Sequence, residues 1–198
     1  DYARSLNNIA QDYDYLRDYS KSLEYNLRAL EILEKALGKE HPFYATSLNN
    51  IAVNYSNLRD YIKSLEYNLI ALKTRGKALG RGHPDYATSW NNIAKNFSDL
   101  GDHSESLEYN LITLEITEKA LGKEHPSYAR SLNNIAMNYS DLGDYKKSLK
   151  YNLIALKIRE KILGKEHPDY ATSLNNIARD YSYLGDYNKA LEYNLIAL

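Results

Sequence analysis

His-Pro recurs at 41–42, 83–84, 125–126 and 167–168, so the chain repeats itself every forty-two residues. Its 198 residues form four full units, 1–42, 43–84, 85–126 and 127–168, and a partial fifth, 169–198. Tyr2-Ala3, Asn7-Asn8-Ile9-Ala10 and Tyr25-Asn26-Leu27 return unchanged at the same place in every unit. A fixed period in this range specifies a solenoid, in which each unit packs only on its neighbours. The expectation is one repeat array over 1–198. Such a stack offers a long face to a partner and seldom a closed pocket for chemistry.

Bulk properties narrow the partner class. Formal net charge is −1 with 26% charged residues, so no polyelectrolyte attraction to nucleic acid or anionic lipid is expected. Cysteine is absent, which excludes disulfides and thiolate metal sites and suits a cytoplasmic protein. No apolar run approaches membrane-spanning length. The chain opens on Asp1 and stops at Leu198 inside a unit, which reads as a segment of a longer array. The 20 tyrosines are duplicated core slots: unit positions 2, 13, 19 and 25 account for all but Tyr15 and Tyr183.

Each unit reads as two helices. In the first, Tyr2, Leu6, Ile9, Ala10, Tyr13 and Leu16 share one face. Proline at the preceding corner suits a first helical turn. A Leu-Gly-Asp turn follows (Leu142-Gly143-Asp144), but units one and two carry Arg17 and Arg59 in the glycine slot, which predicts slight strain there. The second helix runs from about Tyr19 to Leu37 and stops at Gly38. Leu23, Leu27 and Leu30 mark one side of it and Tyr25, Ala29, Ile32 and Ala36 another. This predicts a helix buried on both sides with only Glu24, Glu31 and Lys35 left to water, the polar side of the first helix then lining the free inner surface.

These residues resemble the tetratricopeptide repeat, in the forty-two-residue variety of kinesin light chain. The resemblance lies in His-Pro-Asp-Tyr-Ala-Thr-Ser-Leu-Asn-Asn-Ile-Ala at 167–178 and Leu-Gly-Asp-Tyr-Asn-Lys-Ala-Leu-Glu-Tyr at 184–193. Trp90 fills the motif's tryptophan slot, Ala10 its small-residue slot, Tyr139 its aromatic, and Ala155 and Ala190 its helix-crossing residues. The resemblance covers the whole chain and implies an all-α, right-handed superhelix of helix-turn-helix repeats with the first helices inside. One departure stands out. Asn26, Asn68, Asn110, Asn152 and Asn194 occupy the slot where the motif usually places a large aromatic. An amide in an apolar stripe without partners costs roughly 1–3 kcal/mol. This column is therefore expected to be buried and hydrogen-bonded, to first-helix groups such as Ser5 and Asn8 or to tyrosine hydroxyls.

The candidate binding residues lie on the first helices. Twin asparagines recur as Asn7-Asn8, Asn49-Asn50, Asn91-Asn92, Asn133-Asn134 and Asn175-Asn176. Amides both donate and accept, so a ladder of them can pair with the backbone of an extended peptide; the resemblance implies the same use. The alternative is that one asparagine of each pair ties adjacent first helices together. Two further slots vary while their surroundings stay fixed: Gln11, Val53, Lys95, Met137 and Arg179, and Arg4, Thr46, Thr88, Arg130 and Thr172. Selective recognition needs such differences, and neutral drift at exposed positions produces them as well.

No catalytic, cofactor or metal site is expected. The histidine corners stand one repeat apart and share no ligand spacing, and no phosphate loop or nucleophile elbow appears. The Asn-aromatic-Ser triplets at 54–56, 96–98 and 138–140 match glycosylation acceptors only formally, being inside helices. The expectation is a non-catalytic scaffold binding a peptide or short helix in a concave groove. The rival is a structural array or spacer that self-associates end to end. A third reading, implied by the resemblance alone, is the sensor arm of a larger signalling protein.

Overall fold

The computed structural model describes residues 2–198, and among these it is all-helical. First helices of the repeats are α1 (Tyr2–Tyr15), α3 (Pro42–Asn57), α5 (Pro84–Asp99), α7 (Pro126–Asp141) and α9 (Pro168–Tyr183). Second helices are α2 (Tyr19–Leu37), α4 (Tyr61–Ala78), α6 (His103–Leu121), α8 (Tyr145–Leu163) and α10 (Tyr187–Ile196). The chain forms two compact units, one up to Gly101 and one from Asp102. The first holds α1–α5 and the second α6–α10.

Both kinds of helix start on a side-chain cap. At the corners the histidine Nδ1 accepts from the backbone N–H two residues on: Phe43 to His41, Asp85 to His83, Ser127 to His125 and Asp169 to His167, each 3.1 Å. Proline follows in the first turn, where its missing N–H costs nothing. His-Pro is thus a helix-start device, as its spacing suggested. Second helices start on aspartates: Asp18, Asp60, Asp144 and Asp186 each accept from the N–H of a lysine three residues on, satisfying an otherwise orphaned donor. That bond, with the lysine ammonium nearby, holds these carboxyls below their ordinary value.

The turn before each aspartate takes a left-handed residue. Gly143 and Gly185 adopt it without cost (φ 79° and 83°), whereas Arg17 and Arg59 are held at 59° and 62°. The strain expected at these arginines is present.

Small residues let the helices approach: Ala10, Ala29, Ala52, Ala71, Ala136 and Ala155 are buried almost completely. Around them Tyr44, Ala45, Leu48 and Ala71 form one core, with Leu30 of the preceding repeat against it. Tyr128, Ala129, Leu132 and Ala155 repeat the arrangement in the second unit. Tyrosines of positions 13 and 25 stack within a repeat, as in Tyr55–Tyr67 at 5.5 Å and Tyr139–Tyr151 at 5.6 Å. Their abundance therefore serves packing.

The second helices depart from expectation. Their buried stripe is Ser22, Asn26 and Ala29, repeated as Ser64, Asn68 and Ala71 and as Ser148, Asn152 and Ala155. Leu69, Ile70, Leu111, Ile112 and Ile154 are instead exposed. Positions 22, 26 and 29 share one helical face, and close packing of helix on helix selects small and hydrogen-bonding residues there, leaving larger apolar ones outside.

Candidate functional site

A chain of buried amides runs beneath the first-helix face. In the first unit, Asn26 Nδ2 donates to Asn54 Oδ1 (2.7 Å) and Asn68 Nδ2 to Asn96 Oδ1 (2.6 Å). In the second, Asn110 Nδ2 donates to Asn138 Oδ1 (2.6 Å) and Asn152 Nδ2 to Asp180 Oδ2 (2.7 Å). Each acceptor lies 28 residues on, in the first helix of the next repeat. That helix returns bonds to serines of the preceding second helix: Asn54 to Ser22, Asn96 to Ser64, Asn138 to Ser106. The asparagine column is buried and bonded as expected, but its partners are not those expected from the sequence. Ser5, Asn8 and tyrosine hydroxyls take no part in these bonds. Asn194 is exposed, since its counterpart 28 positions on would lie past Leu198.

Position 12 of the repeat (Asn54, Asn96, Asn138, Asp180) was missed by sequence reasoning, although its recurrence 28 residues after the column was a usable signal. Burial of Asn54, Asn96 and Asn138 also takes the three glycosylation triplets out of reach. At Asp180 burial pushes the carboxyl pKa up, against the bonds from Asn152 and Ser148 that lower it. Asp14, which accepts from Asn54 Nδ2 at 2.9 Å, is raised for the same reason.

The twin asparagines separate. Asn49 is buried and donates to Asn68 Oδ1, and Asn133 donates to Asn152 Oδ1, both at 2.7 Å. The first asparagine thus ties a first helix to the second helix of its own repeat, not to the neighbouring first helix. The second asparagine lies nearer the surface: Asn8 is exposed and Asn50, Asn92, Asn134 and Asn176 are half-buried.

Around these second asparagines the structure gathers the candidate residues. One polar hollow of the first unit, about 330 Å³, is lined by Asn7, Asn8, Gln11, Asp14, Asn26, Asn50 and Val53. Beside it a smaller one brings together Val53, Ser56, Asn57, Asn92, Lys95 and Asn96. Gln11, Val53, Lys95, Met137 and Arg179 are all exposed, as are Arg4, Thr46, Thr88 and Arg130. Two of these carry local bonds that reduce their availability. Lys95 Nζ pairs with Asp99 Oδ2 at 2.6 Å, and the Thr46 and Thr88 hydroxyls donate to Pro42 and Pro84 carbonyls at 3.2 Å. Nothing in these hollows resembles a nucleophile–base pair, and no cluster of metal-ligating side chains occurs among the described residues. No helix among them is long and apolar enough to cross a membrane.

The profile of the tetratricopeptide repeat matches residues 1–68, 100–152 and 132–195. No curated protein matches the chain significantly. Among solved structures, the fold is similar to a kinesin-light-chain candidate of Podosopora anserina with nearly identical TPR-like repeats. The identity is 25% over 98% of this chain and 92% of that one, with a TM-score of 0.84. BtubC (BKLC) from P. vanneervenii is similar at 23% identity, covering 98% of this chain and 77% of that one, TM-score 0.86. A Rap protein solved in complex with Competence and Sporulation Factor matches at 20% identity over 97% of this chain and 52% of its own length, TM-score 0.78.

Proposed function

The chain belongs to the tetratricopeptide repeat family, in its kinesin-light-chain-like form, and on that premise we propose that it is a non-catalytic scaffold that binds an extended peptide or a short helix. The family supports a protein-interaction role in general. The observation that carries the finer reading is the division of labour within the twin asparagines. One amide of the pair is consumed by the fold, and its neighbour lines an open polar hollow flanked by the slots that differ between repeats. Invariant amides at that place suit the backbone of an extended peptide, and variable slots beside them suit its side chains. The likeness to a Rap protein that holds a second molecule is consistent with this use of the fold. The forty-two-residue period runs unbroken through Gly101–Asp102, which supports treating 1–198 as one array. Near-neutral charge and the lack of cysteine agree with a protein partner in the cytoplasm.

The test uses short random peptides selected against the intact chain. Asn50→Ala with Asn92→Ala should weaken the selected peptides at least about tenfold, the scale of losing a few hydrogen bonds to a ligand, and leave helicity and melting unchanged. Equal loss of helicity and binding would show that these amides serve the fold, and the proposal would fall.

A further inference from the structure

We infer that the first unit carries a pocket for one bulky apolar side chain of a bound peptide, with a carboxylate next to it; this rests on the peptide-binding reading above. The starting observation is a hollow of about 470 Å³ between the ends of α1 and α2 and the start of α3. Its walls are Tyr2, Ile32, Leu33, Leu37 and Phe43, and Arg4, Asn7 and Thr46 line it from the first-helix face. That volume falls within the range of about 300–1,000 Å³ that is usual for ligand pockets.

The hollow exists because two positions depart from the repeat. Where unit one has Leu33, units two and four have Arg75 and Arg159, both buried. Arg75 Nη1 donates to the Asp85 carbonyl (3.2 Å) and to Ser89 Oγ (2.9 Å). Arg159 does the same with Asp169 (3.0 Å) and Ser173 (2.6 Å). At the equivalent junction Leu33 cannot make these bonds, and Ser47, in the serine's place, is buried with its hydroxyl unpartnered. Where Asp85 and Asp169 begin the later first helices, Phe43 adds an aromatic wall. A polar plug has been exchanged for apolar walls at both of its ends.

The lining also selects the occupant. It contains no acidic residue and one cation, Arg4, so the charge it complements is negative. Asn7 Oδ1 is buried without a partner and can only accept, which suits a peptide N–H. An aliphatic or aromatic side chain, its own N–H and a neighbouring carboxylate meet all three demands. That carboxylate belongs to an acidic residue or to the peptide's C-terminus.

The experiment takes the peptides selected on the intact chain and measures them against Leu33→Arg with Phe43→Asp, which copies the junction of units two and three. Ala36→Ile, a residue that unit four already holds as Ile162, is the second variant and narrows the hollow without a charge. The expected result is a shared bulky apolar residue beside Asp, Glu or the C-terminus, and at least about a tenfold loss of affinity in both variants, as for removal of a buried anchor. Melting should be unchanged or raised. Peptides that bind both variants as tightly as the original chain would overturn the pocket while leaving the groove reading to stand on Asn50 and Asn92. Failure to select any peptide would remove both. Self-association in light scattering that either variant abolishes would assign the hollow to a second copy of the chain and overturn the inference.

Discussion

At the scale of single residues, the fold depends on buried polar atoms as much as on apolar ones. An amide column inside a helix interface specifies register, because a slip of one residue leaves a donor and an acceptor unpaired at a cost of about 1–3 kcal/mol each. Asp180 is the exception in its series, a carboxylate where Asn54, Asn96 and Asn138 hold amides. Burial raises its pKa. The folded state therefore favours the protonated form, and the stabilisation is complete below the unfolded carboxyl value near 4. It is lost as pH rises through the folded value. Asp180→Asn should raise the melting temperature at neutral pH by on the order of 1 kcal/mol in stability and flatten its dependence between pH 4 and the raised value, which thermal melts across that window would show. An unchanged or lower melting temperature would mean that the ionised carboxylate is the better acceptor for Asn152 and Ser148. Burial of the amide column was legible in the sequence, since an amide in an apolar stripe must be satisfied. Its partners were not, because an offset of 28 residues acquires meaning only once one repeat is stacked on the next.

At the scale of elements, start signals were legible to within a residue. His-Pro and Leu-Gly-Asp each name a cap and a turn, and the helices begin where those signals stand. The left-handed arginines follow from the same reasoning. Holding a non-glycine residue there costs about 1–2 kcal/mol, so Arg59→Gly should stabilise the chain by roughly 1 kcal/mol after the extra chain entropy of glycine is deducted. Chemical denaturation measures this directly, and a destabilised variant would show that the arginine side chain holds the turn. The buried face of the second helix was misread for a physical reason. Hydrophobic periodicity assumes that the most apolar side faces the core, whereas two helices in close contact bury their smallest side, here Ser64, Asn68 and Ala71. The apolar hollow was missed as well, because Leu33 and Phe43 look like drift until Arg75 and Asp85 show what their equivalents do.

At the scale of the whole molecule, the repeats are alike in sequence but should not be alike in stability. Helix α4 ends at Ala78, whereas α2, α6 and α8 reach the leucine that follows at the equivalent position. It carries Gly76, against which the Tyr86 ring lies so closely that a Cβ there would sit 3.0 Å from it. Gly80 and Gly82 come next. A glycine inside a helix costs about 1 kcal/mol relative to alanine, so amide exchange should be fastest between Lys73 and Gly82. Uniform protection along the chain would show that packing by Tyr86 offsets the loss. The period itself, and with it the solenoid class, was the most legible feature of all. Its constancy has a consequence for how such a protein changes length. The bond from each column asparagine is blind to which copy supplies the acceptor, provided the offset of 28 is kept. Gain or loss of a whole forty-two-residue block anywhere in the chain keeps that offset, so Asn68 would find Asn138 as readily as it now finds Asn96. Copy number is therefore free to drift while the interior remains paired. Only the idiosyncratic junctions, the one holding Leu33 and Phe43 among them, are erased when a block is lost.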